Sequence, residues 1–384
     1  MYCREKYYQV QKCANAFFII AWFLMLINTC FFYSDMQKWC PPFLGEIALI
    51  CFIIKAILTF EWSWKEFFLY AALLGMGLLT YLFSSEKRIL WLAIVLVAAK
   101  GVKVDNIIPL TAYTYLCMCI IFVICFAVGI SEQGTNMKGG VSFGLNHPNV
   151  CQNYFMLISC LFIYIYYGKV KVWHLAVALL LNWVLYFYTL SRSGALTFTA
   201  VLLYISIIKL IKDQSKKKLF NRIFLVLVFA GAFVMTWLPI LYKDNAFFEM
   251  INQFSTGRIS QANVYYKSFG LNPFGEYLDV LYEEKPKWFL DIGYTKILIN
   301  NGIVPYVFIM LGYAALGINY SINNQYRKIL LIIMALISMY FENMCTYIFM
   351  NITLVWFAED VLFNKVLFNK AKKLIGKRRV KGAR

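Results

Sequence analysis

A few short polar segments carry the residues able to do chemistry in a chain that is otherwise mostly apolar. The stretch 188-YTLSRSGALTF-198 sets Arg192 between Ser191 and Ser193, with long apolar runs on either side. An arginine there is either the charge of a tight turn between two membrane spans or a cation kept at membrane depth for a task. Its planar fork suits two-pronged binding of a phosphate, and an intramembrane arginine is costly enough to be a functional candidate by default. The segment 131-SEQGTNMKGGVSFGLNHPN-149 ends in Asn146, His147, Pro148 and Asn149. A helix start needs one capping side chain, so three hydrogen-bonding residues beside an apolar run exceed that need. His147, with an ordinary pKa near ~6.5, is a candidate general base. Arg258 opens an amphipathic stretch after Ser255-Thr256-Gly257, and Asp291 and Tyr294 lie at the start of a late apolar run. Glu342 and Asn343 interrupt the last apolar hairpin. Glu342 either serves that turn or faces inward, to pair with Arg192 or Arg258 or to accept a proton.

The elements that must position these residues are membrane helices. Hydrophobic residues make up 61% of the 384, and charged residues 15%, against about a quarter charged in soluble domains. The apolar residues fall into runs long enough to cross about 30 Å of hydrocarbon as helices. About twelve spans are expected: 14–33, 43–60, 67–84, 89–102, 108–130, 149–167, 173–190, 195–211, 223–242, 294–318, 329–341 and 344–362. The first is too long for a signal peptide and lacks a small-residue cleavage site, so it reads as an uncleaved span. The fold class is an all-α polytopic bundle forming one membrane domain over residues 1–384. It carries one long outer loop, 243–293, and a basic tail, 363–384.

Loop charge sets the orientation. With the N-terminus inside, the inner segments hold 24 Lys and Arg in 75 residues and the outer ones 10 in 87, the bias expected of cytoplasmic loops. Both termini are then cytoplasmic, and residues 131–149, 191–194 and 243–293 share the outer face. The last is long enough to expect function, and its Tyr265, Tyr266, Tyr282, Trp288 and Phe289 suit sugar stacking or interfacial anchoring. The net charge of +18 is explained by topology and by attraction of the tail to anionic lipid, not by nucleic acid. Two histidines and no CxxC among eleven cysteines give a metal site little support. Cys30 and Cys40 flank the first outer loop and are the one candidate disulfide.

The order of these motifs resembles the O-antigen polymerase and ligase superfamily of bacterial surface polysaccharide synthesis. Asn-His-Pro-Asn opens a middle span, Ser-Arg-Ser-Gly follows the next, and Thr-Gly-Arg opens the amphipathic part of the long outer loop. Asn-Pro-Phe-Gly, Asp-x-Gly-Tyr and Asn-Asn-Gly-Ile-Val follow, and the correspondence runs from about residue 85 to 360. The resemblance implies a plasma-membrane glycosyltransferase using a glycan on undecaprenyl diphosphate as donor and a glycan hydroxyl as acceptor, with no nucleotide sugar, metal or cofactor. A flippase and a chain-length regulator are the implied partners. It places the diphosphate at Arg192 and Arg258, and substrate near Asn146, Asn149, Ser191, Ser193 and Tyr294. The base is left among His147, Asp291 and Glu342. Ligases of the superfamily use a histidine in the long loop; residues 243–293 contain none, which favours a repeat-unit polymerase over a ligase-like transferase. A flippase or transporter would be expected to show internal repeats and charges along a central cavity. Here the polar motifs gather on one face.

Overall fold

A segment crossing lipid must satisfy its backbone internally, and a helix does so within one segment. The computed structural model is all-helical; among the described residues the only strand-like pairing is one isolated bridge, Ser34 to Leu145. It describes residues 2–131, 139–278 and 290–363; Tyr282, Trp288, Phe289 and the tail from 364 lie outside these. The first half forms α1 (Tyr2–Phe32), α2 (Leu44–Thr59), α3 (Trp64–Ser84), α4 (Arg88–Ala98), α5 (Val104–Ala127) and α6 (Pro148–Ile165). The second forms α7 (Val172–Thr189), α8 (Arg192–Leu210), α9 (Gln214–Leu241), α10 (Ala246–Phe254), α11 (Arg258–Phe269), α12 (Ile303–Ile322) and α13 (Tyr326–Ser338).

Among the described residues, eight helices are long and apolar enough to cross a membrane: α1 from Gln9, α3, α5, α6, α7, α8, α9 and α12. The segments expected at 43–60, 89–102 and 329–341 form α2, α4 and α13, of 16, 11 and 13 residues. At 1.5 Å per residue they extend about 24, 16 and 20 Å, short of the ~30 Å hydrocarbon layer. Nearly every residue of α13 is buried, so its uniform apolarity reflects a core position. The segment expected at 344–362 contains no α-helix. It runs as 3₁₀ turns at Met344–Thr346 and Ile352–Val355 and a π turn at Phe357–Leu362. Irregular backbone at this depth is tolerated where protein surrounds it. Buried Asn351 satisfies part of it, donating to the Cys345 carbonyl at 2.7 Å and the Tyr313 hydroxyl at 2.7 Å, and accepting from Thr353 at 2.6 Å.

Polar contacts collect at two ends of the bundle. At one, Lys100 pairs with Glu66 at 2.7 Å, Glu359 accepts the Val104 N–H at 2.9 Å, and Tyr164 donates to Asp105 at 2.5 Å. Lys328 pairs there with Asp360 at 3.0 Å. At the other, Glu342 is the hub. Between them Gln152 donates to Asn182 Oδ1 at 2.6 Å and Asn182 to the Ala195 carbonyl at 3.0 Å, binding α6, α7 and α8 through buried, mutually satisfied amides. Gly194 permits this closeness, because a Cβ there would lie 2.6 Å from Gln152 Cγ. Cys30 and Cys40, the candidate disulfide, are both free thiols; Cys40 instead approaches Asn28 Oδ1 at 3.3 Å.

Candidate active site

Glu342 lies in the turn after α13, with its side chain directed into the bundle and 11% exposed. One oxygen, Oε1, accepts from Ser193 Oγ at 2.7 Å, Arg258 Nη2 at 3.0 Å and Asn149 Nδ2 at 3.2 Å. The donors come from the starts of α8, α11 and α6, where helices leave their first N–H groups unsatisfied and polar side chains concentrate. Four segments separated by 40 to almost 200 residues thus meet at one carboxylate oxygen.

Each arm is held by local structure. The loop before α6 is pinned to the end of α1 by the Ser34–Leu145 bridge and by Asn146, whose N–H reaches the Tyr33 carbonyl at 3.0 Å and whose amide reaches the Phe32 carbonyl at 3.3 Å. Asn146 therefore anchors the loop, while Asn149 reaches Glu342. His147 caps α6: its Nδ1 accepts the Asn149 N–H at 3.1 Å. Arg258 follows Thr256 and Gly257, both in the left-handed region, which breaks α10 from α11. Asn263 of α11 fixes that helix to the Pro239 carbonyl at 2.7 Å.

Arg258 is engaged on every side. Besides Glu342 it pairs through Nε with Asp291 Oδ2 at 3.3 Å and donates through Nη1 to the Phe341 carbonyl. Two carboxylates on one guanidinium leave this group locally negative. Asp291 is the more open of the two, 32% exposed against 11% for Glu342. Burial pushes its carboxyl up to about 6, Arg258 opposing and Glu342 adding to the shift. Burial also lowers the pKa of His147, with Glu342 working against the shift and Arg258 with it.

The remaining candidates are placed differently. Arg192 begins α8, one residue from Ser193, and is exposed, with no ion pair among the described residues. Ser191 is buried and its hydroxyl has no partner among the described residues. Tyr294 is fully buried and donates to the Leu336 carbonyl at 2.7 Å, so its hydroxyl serves as an anchor. Tyr265 likewise faces the core, stacked on Phe269. Asn-Pro-Phe-Gly and Asn-Asn-Gly-Ile-Val pack on each other. The Ile303 N–H reaches the Asn272 carbonyl at 3.0 Å, and the Glu276 N–H reaches that of Asn300 at 3.2 Å. A Cβ on Gly275 would fall 2.0 Å from the Asn300 oxygen, and its φ is +85°; only glycine fits.

A second charged group, absent from the expected site, adjoins the first. Arg88 Nη1 donates to the Asn343 carbonyl at 3.0 Å and to Thr346 Oγ1 at 2.7 Å, so two arginines grip the chain on either side of Glu342. Glu86 links Arg88 Nε at 3.3 Å to Lys296 Nζ at 3.3 Å. Burial alone would raise the Glu86 carboxyl, but Arg88 and Lys296 outweigh it and hold it below the usual carboxylate range. The sequence signal was a lysine in 291-DIGYTKILINN-301, near the start of the span expected at 294–318.

Searches against protein-family models, curated proteins and solved structures give no match for this chain. The functional reading therefore rests on the residues and their geometry, together with the motif order.

Proposed function

We propose that this protein is a membrane glycosyltransferase that polymerises lipid-linked oligosaccharide repeat units at the outer leaflet of the plasma membrane. The observation that carries the reading is the meeting of Asn149, Ser193, Arg258, Asp291 and Glu342 at one end of the bundle. All but Glu342 come from the motifs whose order resembles the polymerase and ligase superfamily. In the proposed topology all twelve segments cross, the short ones shielded by their neighbours. Both termini, Lys100 and Lys328 lie on the cytoplasmic side, and the Glu342 cluster lies on the outer side. The placing of successive helix ends at alternate poles supports this arrangement.

In the proposed reaction an acceptor glycan hydroxyl attacks the anomeric carbon of a glycan on undecaprenyl diphosphate. A new C–O bond forms, the bond from anomeric carbon to diphosphate oxygen breaks, and the lipid diphosphate leaves with the electron pair. The hydroxyl proton passes to a carboxylate. Asp291 is the preferred base among the three candidates: it is the most open carboxylate of the cluster, and a pKa of about 6 suits a base working near neutrality. Glu342 Oε1 is already occupied by three donors. Neutral His147 with Nδ1 accepting carries its proton on Nε2, which makes it a donor there.

The two arginines divide the work in this reading. Arg192, unpaired among the described residues, is the cation for the diphosphate, stabilising charge as it develops on the leaving group. Arg258 sets the positions of Asp291 and Glu342 and meets the diphosphate only from behind them. The test is the length distribution of surface glycan in cells carrying Arg192→Ala or Asp291→Asn. Single lipid-linked units should accumulate outside the membrane; wild-type chain lengths in both variants would overturn the proposal.

A further inference from the structure

Two cavities at the Glu342 end of the bundle meet at Glu86 and Lys87. The larger, about 370 Å³, opens between the end of α1, the turn after it and the start of α4, with Arg88, Trp91 and Tyr347 in its wall. The smaller, about 300 Å³, continues from Lys87 past Lys296. Each is the size of a pocket for a small ligand or headgroup. Among the described residues three cations, Lys87, Arg88 and Lys296, line the two cavities with the carboxylate of Glu86, and Asp291 lies close enough to act on Lys296, so Lys87 and Arg88 are the cations least compensated. Glu86 is spent on Arg88 Nε and Lys296 Nζ. Lys87 is exposed and has no ion-pair partner among the described residues, and Arg88 Nη2 has no protein partner among them.

We propose that this cleft is an anion site for a phosphate ester, with Lys87 and Arg88 on the phosphoryl oxygens and the Trp91–Tyr347 wall against the esterified group. A phosphoryl group, with close to two negative charges and three acceptor oxygens at neutral pH, can engage Lys87 and Arg88 together. The aromatic faces suit an apolar or sugar moiety beside the charge. Glu342 lines neither cavity, although Arg88 also holds the neighbouring Asn343 carbonyl. The site requires no transfer chemistry, so it stands or falls separately from the proposed reaction.

Calorimetric titration of the full chain in detergent micelles, with inorganic diphosphate and farnesyl diphosphate as probes, tests it. Saturable binding of both with similar affinity identifies the phosphoryl group itself as the ligand; tighter binding of the farnesyl ester identifies a lipid-borne one. Lys87 is exposed, so Lys87→Glu should leave the fold intact while weakening binding about tenfold or more, as reversal of one charge beside a dianion requires. Lys87→Arg should retain binding, and Arg192→Gln should not alter the Lys87-dependent class. Absence of saturable binding by monodisperse protein would overturn the assignment. So would affinity within twofold of wild type in Lys87→Glu, or loss of this class in Arg192→Gln.

Discussion

Replacing Arg258 by alanine should cost stability before it costs chemistry. The guanidinium neutralises two carboxylates and ties down the Phe341 carbonyl. Removing one member of a buried ion pair costs about 3–5 kcal/mol, chiefly because the surviving charge is left uncompensated. That range applies to Glu342, which is 11% exposed; Asp291, at 32%, adds less because solvent screens it. The expected loss is therefore about 3–5 kcal/mol, seen as an unfolding midpoint lowered by several degrees in detergent. Adding Glu342→Gln to Arg258→Ala removes the orphaned charge and should recover about 1–3 kcal/mol, a coupling of the size found for contacting residues. Thermal unfolding of the wild type, both single variants and the double variant measures the cycle. A wild-type midpoint for Arg258→Ala, or strictly additive losses, would refute the argument that Arg258 holds the turn carrying Glu342.

Three other outcomes follow from the same geometry. Transfer should require ionised Asp291, so the rate should fall about tenfold per pH unit below about 6 and level off above it; Asp291→Asn should abolish that limb together with most activity. The linkage runs the other way for folding: a carboxyl raised by burial favours the native state when protonated, so this part of the stability is lost as pH rises through about 6. Gly194→Val should destabilise by about 1–3 kcal/mol through overpacking against Gln152, read as a lowered midpoint and poorer yield. Arg192→Ala, by contrast, should unfold within about 0.5 kcal/mol of wild type, as exposed substitutions do, yet yield no polymer.

The helical class and the long apolar helices were legible because each is a local property of composition and run length. So was the break before Arg258, where Ser-Thr-Gly ends α10. The backbone of segment 344–362 was not: its apolar residues read as a helix, whereas Asn351 and Thr353 mark 3₁₀ and π turns wrapped by other helices. Apolarity alone could not separate a lipid-facing helix from a core one, so the burial of nearly all of α13 was not legible. At the site, the individual candidates were visible as polar residues at the edges of apolar runs. Their pairing was not, because Glu342 and Arg258 are joined by closure of the chain across 84 positions, and no periodicity encodes that. Arg88 and Lys296 were missed for the same reason: the first sits in an ordinary polar turn, the second near the start of the span expected at 294–318, and only the fold brings them together through Glu86.

The most direct measurement is elongation by the purified chain in lipid nanodiscs supplied with an undecaprenyl-diphosphate-linked repeat unit. The account predicts glycans longer than one unit and one lipid diphosphate freed per linkage, without added nucleotide sugar, with both signals lost in Asp291→Asn. Folded protein that leaves the repeat unit unchanged, or an Asp291→Asn variant that elongates at the wild-type rate, would contradict it.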